Sequence, residues 1–455
     1  GIAGDSEVSL TSCLICYQGN LISPLQFLSG NAAFINTFGS DYGSGVDQGV
    51  VIMHILFVHK NFPAQFGHIA SYLIKNHSFQ CSFASELPSG NVDGIERVQY
   101  KIQGGATKST HYCSRTFENA VWHSHAVHEA MTARPDIKPD LVVGHSGFGS
   151  TVWLADLYDC PIINYFEYYY RSKGSDLDFR PDFPVKPQDV LRSRSRNAMI
   201  LLDLQTCTKG YTPTKYQQSL MPAEYQPKIE QIFDGIDTNI WKRNPNPSRE
   251  IAGHKIPEGK KIVTYVSRGF ESMRGFDVFM KSAKQICDAR DDVIFLCVGS
   301  DRVCYGGDLN RIKEETYREH ILKQDDYDLD RFIFTGRVDP QELVDVFSLS
   351  DLHYYLTVPF VLSWSLMNSL ACGCTVLGSA TAPVQEMVKH GETGYTSDFF
   401  DVDGFTEIAM TVLDDPEKHR HLGQAGAKLI QDGFSLDKML PKMLNLYEQT
   451  IATAS

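Results

Sequence analysis

From Met53 onward, short apolar runs alternate with longer stretches whose apolar residues return at helical spacing. HILFVH, CSFAS, ERVQYKI, PDLVVGH and PIINYFEYY read as strands, with FGHIASYLIKN, FENAVWHSHAVHEAMTAR and TVWLADLYD as helices among them. This alternation predicts parallel βαβ units. Ligands collect at the carboxyl ends of such strands, which puts His59, His145 and Glu167 on the rim that matters. After a polar, Pro-containing passage, TNIWKRNPNPSREIAGHKIPEGK, a second series of strands follows: KIVTYVSRG, DVIFLCVGSD, RFIFTGRV, DLHYYLTV and CTVLGS. Two doubly wound α/β domains, 53–238 and 239–435, facing a central cleft are the simplest account.

The first 52 residues break the pattern. They hold no Lys or Arg, so they lack the basic start of a signal or transit peptide, and no period persists in them. They read as an extension outside the fold, upstream in character. With 455 residues, 42% of them hydrophobic, the chain exceeds a single ordinary core. Its net charge of −13 argues against nucleic acid as the main ligand. The eleven cysteines are scattered, and the lone CxxC of Cys13 and Cys16 has no second pair at zinc spacing, so reduced thiols of a cytosolic protein are expected. No run of about 20 apolar residues is present to span a membrane.

The motifs HKNFPAQFGH, DLVVGHSGFG, YFEYYYR, FDGIDTNIW, YVSRGFESMRGFDVFM, FTGRV, LTVPFVLSWSLMNSLACGC and APVQEMVKHGETGY stand in a fixed order from residue 53 to roughly 420. In that order they resemble the retaining glycosyltransferases of family 4. NFPAQF, YFEYYYR and PFVLSWS look like one bacterial subgroup of that family. The resemblance implies a GT-B fold, two Rossmann-like domains with helices about 436–455 crossing back onto the first. The apolar spacing of SLDKMLPKMLNLYEQTIATA suits such docking. It also implies sugar transfer from a nucleotide-sugar to a glycan or lipid-linked acceptor, with retention, without metal or cofactor. The setting it implies is cytoplasmic, with peripheral contact at the inner membrane face.

Breaking a sugar–diphosphate bond leaves an anion, which preorganised cations stabilise. In VSRGFESMRGFD, Arg268 leaves a strand and Arg274 stands near the next helix, where guanidinium forks suit phosphate oxygens. Family members carry an Arg and a Lys there. By the same resemblance, Gly67 opens a loop near donor and acceptor, although a plain strand-to-helix turn is the other reading. Ser267 and Gly299 lie near the donor, and Gly336, Arg337 and Val338 near the base. His145 faces the cleft in relatives, while a structural role stays open. Glu167, amid aromatics, is expected to be paired, with Arg171 the near candidate, or functional. Gly235 and Asp237 in FDGIDTN mark a hinge or a simple turn.

PFVLSWS supplies Phe360, Val361, Leu362, Ser363 and Ser365 as donor contacts. The family's usual signature here is two glutamates separated by seven residues; Phe360 and Asn368 occupy those positions. An amide in place of the second carboxylate loses charge-assisted bonding. If that bond is worth about 1.5–3 kcal/mol, donor affinity falls about ten- to a hundredfold. Asn368 therefore keeps two alternatives open: a catalytically weakened nucleotide-sugar-binding protein, or a GT-B nucleotide-sugar epimerase.

Overall fold

In the computed structural model, which describes residues 52–87, 90–147 and 151–454, the apolar runs pair side by side. β1 (His54–Val58), β2 (Gln80–Ser85), β3 (Ile95–Gln99), β4 (Leu141–His145), β5 (Ile162–Tyr165), β6 (Lys209–Thr212) and β7 (Ile229–Gln231) make one sheet, in the order 3-2-1-4-5-6-7. Every pairing in it is parallel. All residues of β1 and β4 are buried, because helices cover both faces of a parallel sheet. A short hairpin follows, β8 (Glu250–Ile251) with β9 (His254–Lys255). The second sheet contains β10 (Lys261–Gly269), β11 (Val293–Ser300), β12 (Phe332–Gly336), β13 (Leu352–Tyr355), β14 (Val376–Ser379) and β15 (Tyr395–Ser397). Its order is 12-11-10-13-14-15, again all parallel. Two parallel α/β sheets of Rossmann type are thus present.

Most expected elements form, with three corrections. TVWLADLYD is not a helix: only Leu154–Asp156 makes a 3-10 turn, and Thr151 turns its hydroxyl inward to Asn164 Oδ1 at 3.0 Å. The strand expected through PIINYFEYY stops at Tyr165, and the aromatics beyond it spread over other surfaces. β6, β7 and β15 are too short to announce themselves by periodicity. The expected extension, apart from Ile52, lies outside the described residues, as do Cys13 and Cys16. The nine cysteines among the described residues are free thiols.

Helices close each sheet. Pro340–Leu349 starts with a capping box, in which Asp339 accepts from the Glu342 amide and the Glu342 carboxylate returns to the Asp339 amide. Gly67–His77 lies against the last helix, Leu436–Ala454, whose Tyr447 ring stands 6.5 Å from Phe57 of β1. The chain passes between the lobes twice, side by side. Ile236 N–H donates to Phe434 O (2.8 Å), and Leu436 N–H donates to Ile236 O (2.9 Å). Gly235 permits this approach. Its φ is +91°, and a Cβ there would stand 2.7 Å from Leu436 Cδ2 and 3.3 Å from Leu436 Cα.

Gly235→Ala should therefore destabilise by about 2–3 kcal/mol, combining left-handed strain with a clash. Gly253→Ala, at φ +78° with nothing within 4 Å, should cost only about 1 kcal/mol. Urea denaturation of the two variants checks the difference.

Candidate active site

In each sheet the strand order reverses beside the first strand of its series, between β1 and β4 and between β10 and β13. Crevices open at the carboxyl ends of such strands. In the second lobe a crevice of about 990 Å³, counted to its open mouth, is lined by Ser267, Arg268, Arg274, Gly299, Arg302, Tyr305, Arg337, Val338, Tyr355, Ser363, Trp364 and Ser365, among others. Four guanidiniums face it, and no carboxylate is among its lining residues. For an acidic chain this is a strong local inversion of charge.

Arg274 is carried by a 3-10 turn, Ser272–Arg274, between β10 and the helix Phe276–Ala289. Gly275 ends that turn at φ +60°, and a Cβ there would stand 2.7 Å from Leu356 Cβ. The Arg274 side chain is buried, and Nη1 donates to Thr357 Oγ1 (2.8 Å) and Val361 O (3.1 Å). The guanidinium lies 5.3 Å from the Tyr305 ring and 5.9 Å from the Phe360 ring. Tyr355 Oη lies 3.4 Å from Arg274 Nη1 and accepts from Ser363 N–H at 2.8 Å. Ser363 then caps the helix Trp364–Ala371 by accepting from Ser365 N–H at 3.0 Å. The loop after β13 is thus shaped around Arg274.

Tyr305 is held by a residue that sequence reasoning passed over. Glu271 is fully buried, and its carboxyl accepts from the amides of Cys304 and Tyr305. Burial pushes its pKa up to about 8, against the pull of those amides and of Arg274. An acid between two arginines in RGFESMRG was the available signal.

The expected donor residues separate in the structure. Ser267, Gly299, Arg337, Val338, Ser363 and Ser365 line the crevice together with Arg268 and Arg274. Phe360, Val361 and Leu362 are buried behind it. Phe360 packs between Tyr168 of the first lobe (4.8 Å) and Tyr305 (5.3 Å), and Val361 contributes its carbonyl to Arg274. Gly336 ends β12 at φ +72° beside Arg337. Asn368 is 1% exposed, one helical turn beyond Trp364 on the same face, and its Oδ1 is buried with no hydrogen-bond partner among the described residues. Gly67 opens the helix Gly67–His77 in the other lobe, away from the crevice lining.

On the first rim, His59 and His145 meet edge to face with ring centroids 5.1 Å apart. His145 Nδ1 lies 2.7 Å from Ser146 O, so the proton is assigned to Nδ1 and Nε2 is an acceptor. Burial lowers the His145 pKa to about 4, which keeps the ring neutral at pH 7. Glu167 Oε2 lies 3.8 Å from His145 Nε2. The expected pairing of Glu167 with Arg171 does not occur: Arg171 Nε and Nη2 reach Leu220 O (3.1 and 2.7 Å), and Nη2 also reaches Ser219 O (3.2 Å). Both residues lie past the end of β5, Glu167 two positions on and beside His145, Arg171 six positions on and against the backbone at Ser219 and Leu220. Asp234, just before Gly235 in FDGIDTN, was not singled out from the sequence. Burial with the nearby Glu167 charge raises its pKa to about 7, against a smaller pull from Trp364 of the other lobe. This rim sets a buried, neutral imidazole beside a carboxylate, while the arginine-lined crevice belongs to the second lobe.

Behind His145, Asp203 accepts from Ser146 Oγ (2.9 Å) and Gly147 N–H (3.2 Å). Burial raises its pKa to about 7, above the ~3.9 of an unfolded Asp. Between those values the folded chain holds the extra proton, so stability falls as pH rises through that window. Asp203→Asn removes this contribution. Wild type should lose more melting temperature than the variant between pH 5 and pH 7.5 when melting curves are compared.

Comparisons with known proteins agree with this geometry. A family described as "Glycosyl transferase family 4 group" matches residues 77–241, and "Glycosyl transferases group 1" matches 248–429. N-acetyl-alpha-D-glucosaminyl L-malate synthase of Bacillus anthracis is 26% identical over 220 residues, 48% of this chain and 53% of that protein. A GDP-mannose-dependent monoacylated alpha-(1-6)-phosphatidylinositol monomannoside mannosyltransferase of Corynebacterium glutamicum is 25% identical over 257 residues, 54% of this chain and 62% of that protein. The alignments thus span little more than half of these relatives. Among solved structures, sucrose-phosphate synthase of Thermosynechococcus elongatus aligns with a TM-score of 0.70 at 16% identity, over 88% of this chain and all of that one. HepE of Anabaena, in complex with UDP-glucose, aligns at 0.62 with 13% identity, over 87% of this chain and all of that one. The two matches sit in tandem across most of the chain, and the lobes have the corresponding fold: the chain belongs to the family-4-like glycosyltransferases of GT-B architecture.

Proposed function

We propose that this chain transfers a sugar from a nucleotide-sugar to a hydroxyl of a glycan or lipid-linked acceptor, retaining the anomeric configuration. The observation that carries the reading is the crevice at the ends of β10, β11 and β12, with four arginines and no acid in its lining. A diphosphate is the ligand such a cradle suits, since guanidinium forks pair with its oxygens and the start of the helix Trp364–Ala371 adds aligned amides. The crystallised HepE complex with UDP-glucose, of the same fold, supports a nucleotide-sugar as donor.

In this reading the anomeric C–O bond to the diphosphate breaks as the acceptor oxygen bonds to the same carbon on the same face. The acceptor proton passes to the departing phosphate oxygen. Arg268 and Arg274 stabilise the charge that develops on the diphosphate. Glu167 stabilises the positive charge of the sugar, and neutral His145 accepts a hydrogen bond from a substrate hydroxyl. The guanidiniums supply the charge that a metal ion supplies in other transferases, so the reaction is read as metal-independent.

A thermal-shift screen against nucleoside diphosphates should find one that raises the melting temperature by mass action. Transfer should persist in EDTA, and NMR of the product should show the donor's anomeric configuration. Arg274→Gln should lower donor kcat/KM by about a hundredfold or more. The partnerless Oδ1 of Asn368 favours a second reading, a binding protein with weakened chemistry. If Asn368→Glu raises turnover about tenfold or more, that second reading holds; a change within about threefold supports a working enzyme.

A further inference from the structure

Between Arg171 and Lys186 the chain leaves the first rim and reaches the other lobe. Its root is fastened to the first lobe. Asn197 pairs with both backbone groups of Tyr170 (2.9 and 2.7 Å), and Ser175 Oγ donates to Arg171 O (2.7 Å). Its tip holds the second lobe through Arg180, which is only 6% exposed. Arg180 Nη1 donates to Ser272 O (2.8 Å) and Asp277 Oδ1 (3.0 Å), and Nη2 donates to Asp277 Oδ2 (2.6 Å). Asp182, from the same segment, takes Nε at 3.1 Å and Nη2 at 2.7 Å. Phe179 packs against Phe399 and Phe400, each with ring centroids 5.3 Å away.

A second grip lies nearby. Asp176 accepts from Tyr168 Oη at 2.8 Å, and the hydroxyls of Tyr168 and Tyr216 lie 3.2 and 2.9 Å from Pro359 O. The two grips meet the two parts of the crevice wall. Ser272 opens the turn that carries Arg274, and Pro359 precedes Phe360 in the loop that Arg274 binds.

We propose that Arg180 is a positioning residue: through it the strap 171–186 holds the Arg274 turn in its phosphate-binding geometry and makes a complete donor crevice depend on closed lobes. Parting the lobes would hand Asp277 and the Ser272 carbonyl to water while Arg180 kept Asp182, so the turn would lose its hold from the strap. The Ser272 carbonyl that Arg180 holds also accepts from Gly275 N–H at 3.0 Å, so loss of the guanidinium loosens the turn itself. The proposal rests on the reading of the crevice as a diphosphate site.

The test uses the full chain with Arg180→Gln, Arg180→Lys and Phe179→Ala. Titration calorimetry with UDP, GDP and ADP is paired with hydrogen exchange at the amides of Arg274 and Gly275. Arg180→Gln should weaken diphosphate binding and raise donor KM by about tenfold or more, while kcat falls less than about threefold. Exchange at the two amides should quicken, and Arg180→Lys should recover part of both effects. Phe179→Ala loosens the strap's docking on Phe399 and Phe400, and so the grip of Arg180, and should show the same changes at about threefold; it decides the matter if Arg180→Gln does not fold. Wild-type affinity together with wild-type exchange in the folded variants, or a kcat loss at unchanged KM, overturns the proposal. If wild type binds none of the diphosphates, the crevice reading fails, while the exchange measurement, which needs no ligand, still decides whether the strap holds the turn.

Discussion

A guanidinium withdrawn from water must be met by oxygen atoms, and Arg274 shows how much structure that requirement organises. Its acceptors, Thr357 and Val361, lie on the loop after β13, more than eighty residues further along the chain. The turn that carries it is held from behind by Tyr265, whose hydroxyl donates to Arg274 O at 2.8 Å, and from outside by Arg180. Glu271 fixes the loop whose Tyr305 ring lies beside the guanidinium. Remove the buried charge, and four chain segments lose their common point of reference.

The two rims divide the work by charge. The second lobe collects arginines around a crevice free of acids among its lining residues, while the first presents a neutral imidazole and a carboxylate. Trp364 stands on the boundary, lining the crevice while its ring packs 6.3 Å from that of Phe233 in the other lobe. Phe360 plays a similar part through packing, in contact with Tyr168 on one side and Tyr305 on the other. A bulky apolar side chain thus joins the lobes and packs beside the Arg274 guanidinium.

The sheets were legible because strands buried on both faces must be continuously apolar, as HILFV and LVVGH are. TVWLADLYD misled because its spacing is helical, whereas Thr151 turns inward as an anchor to Asn164 and only Leu154–Asp156 makes a turn. Arg268 and Arg274 were legible from charge and glycine at a strand end. Their partners were not, since Tyr305, Thr357 and Tyr355 come from distant loops that no local pattern connects. Nearness in sequence suggested Arg171 for Glu167, but the chain beyond β5 carries Arg171 to the carbonyls of Ser219 and Leu220 and leaves that acid beside His145. Arg180 escaped notice because a charged residue in a polar loop looks solvated until the second lobe is placed against it.

The last helix, Leu436–Ala454, is part of the cover of the first sheet, and its Tyr447 reaches the ring of Phe57. Residues of β1 and residues of this helix therefore share one apolar interior, while the whole second sheet is encoded between them. On the ribosome the second lobe can close while the first still exposes bare strand. Until that helix emerges, the first lobe is the one more exposed to misassembly and to the attention of chaperones.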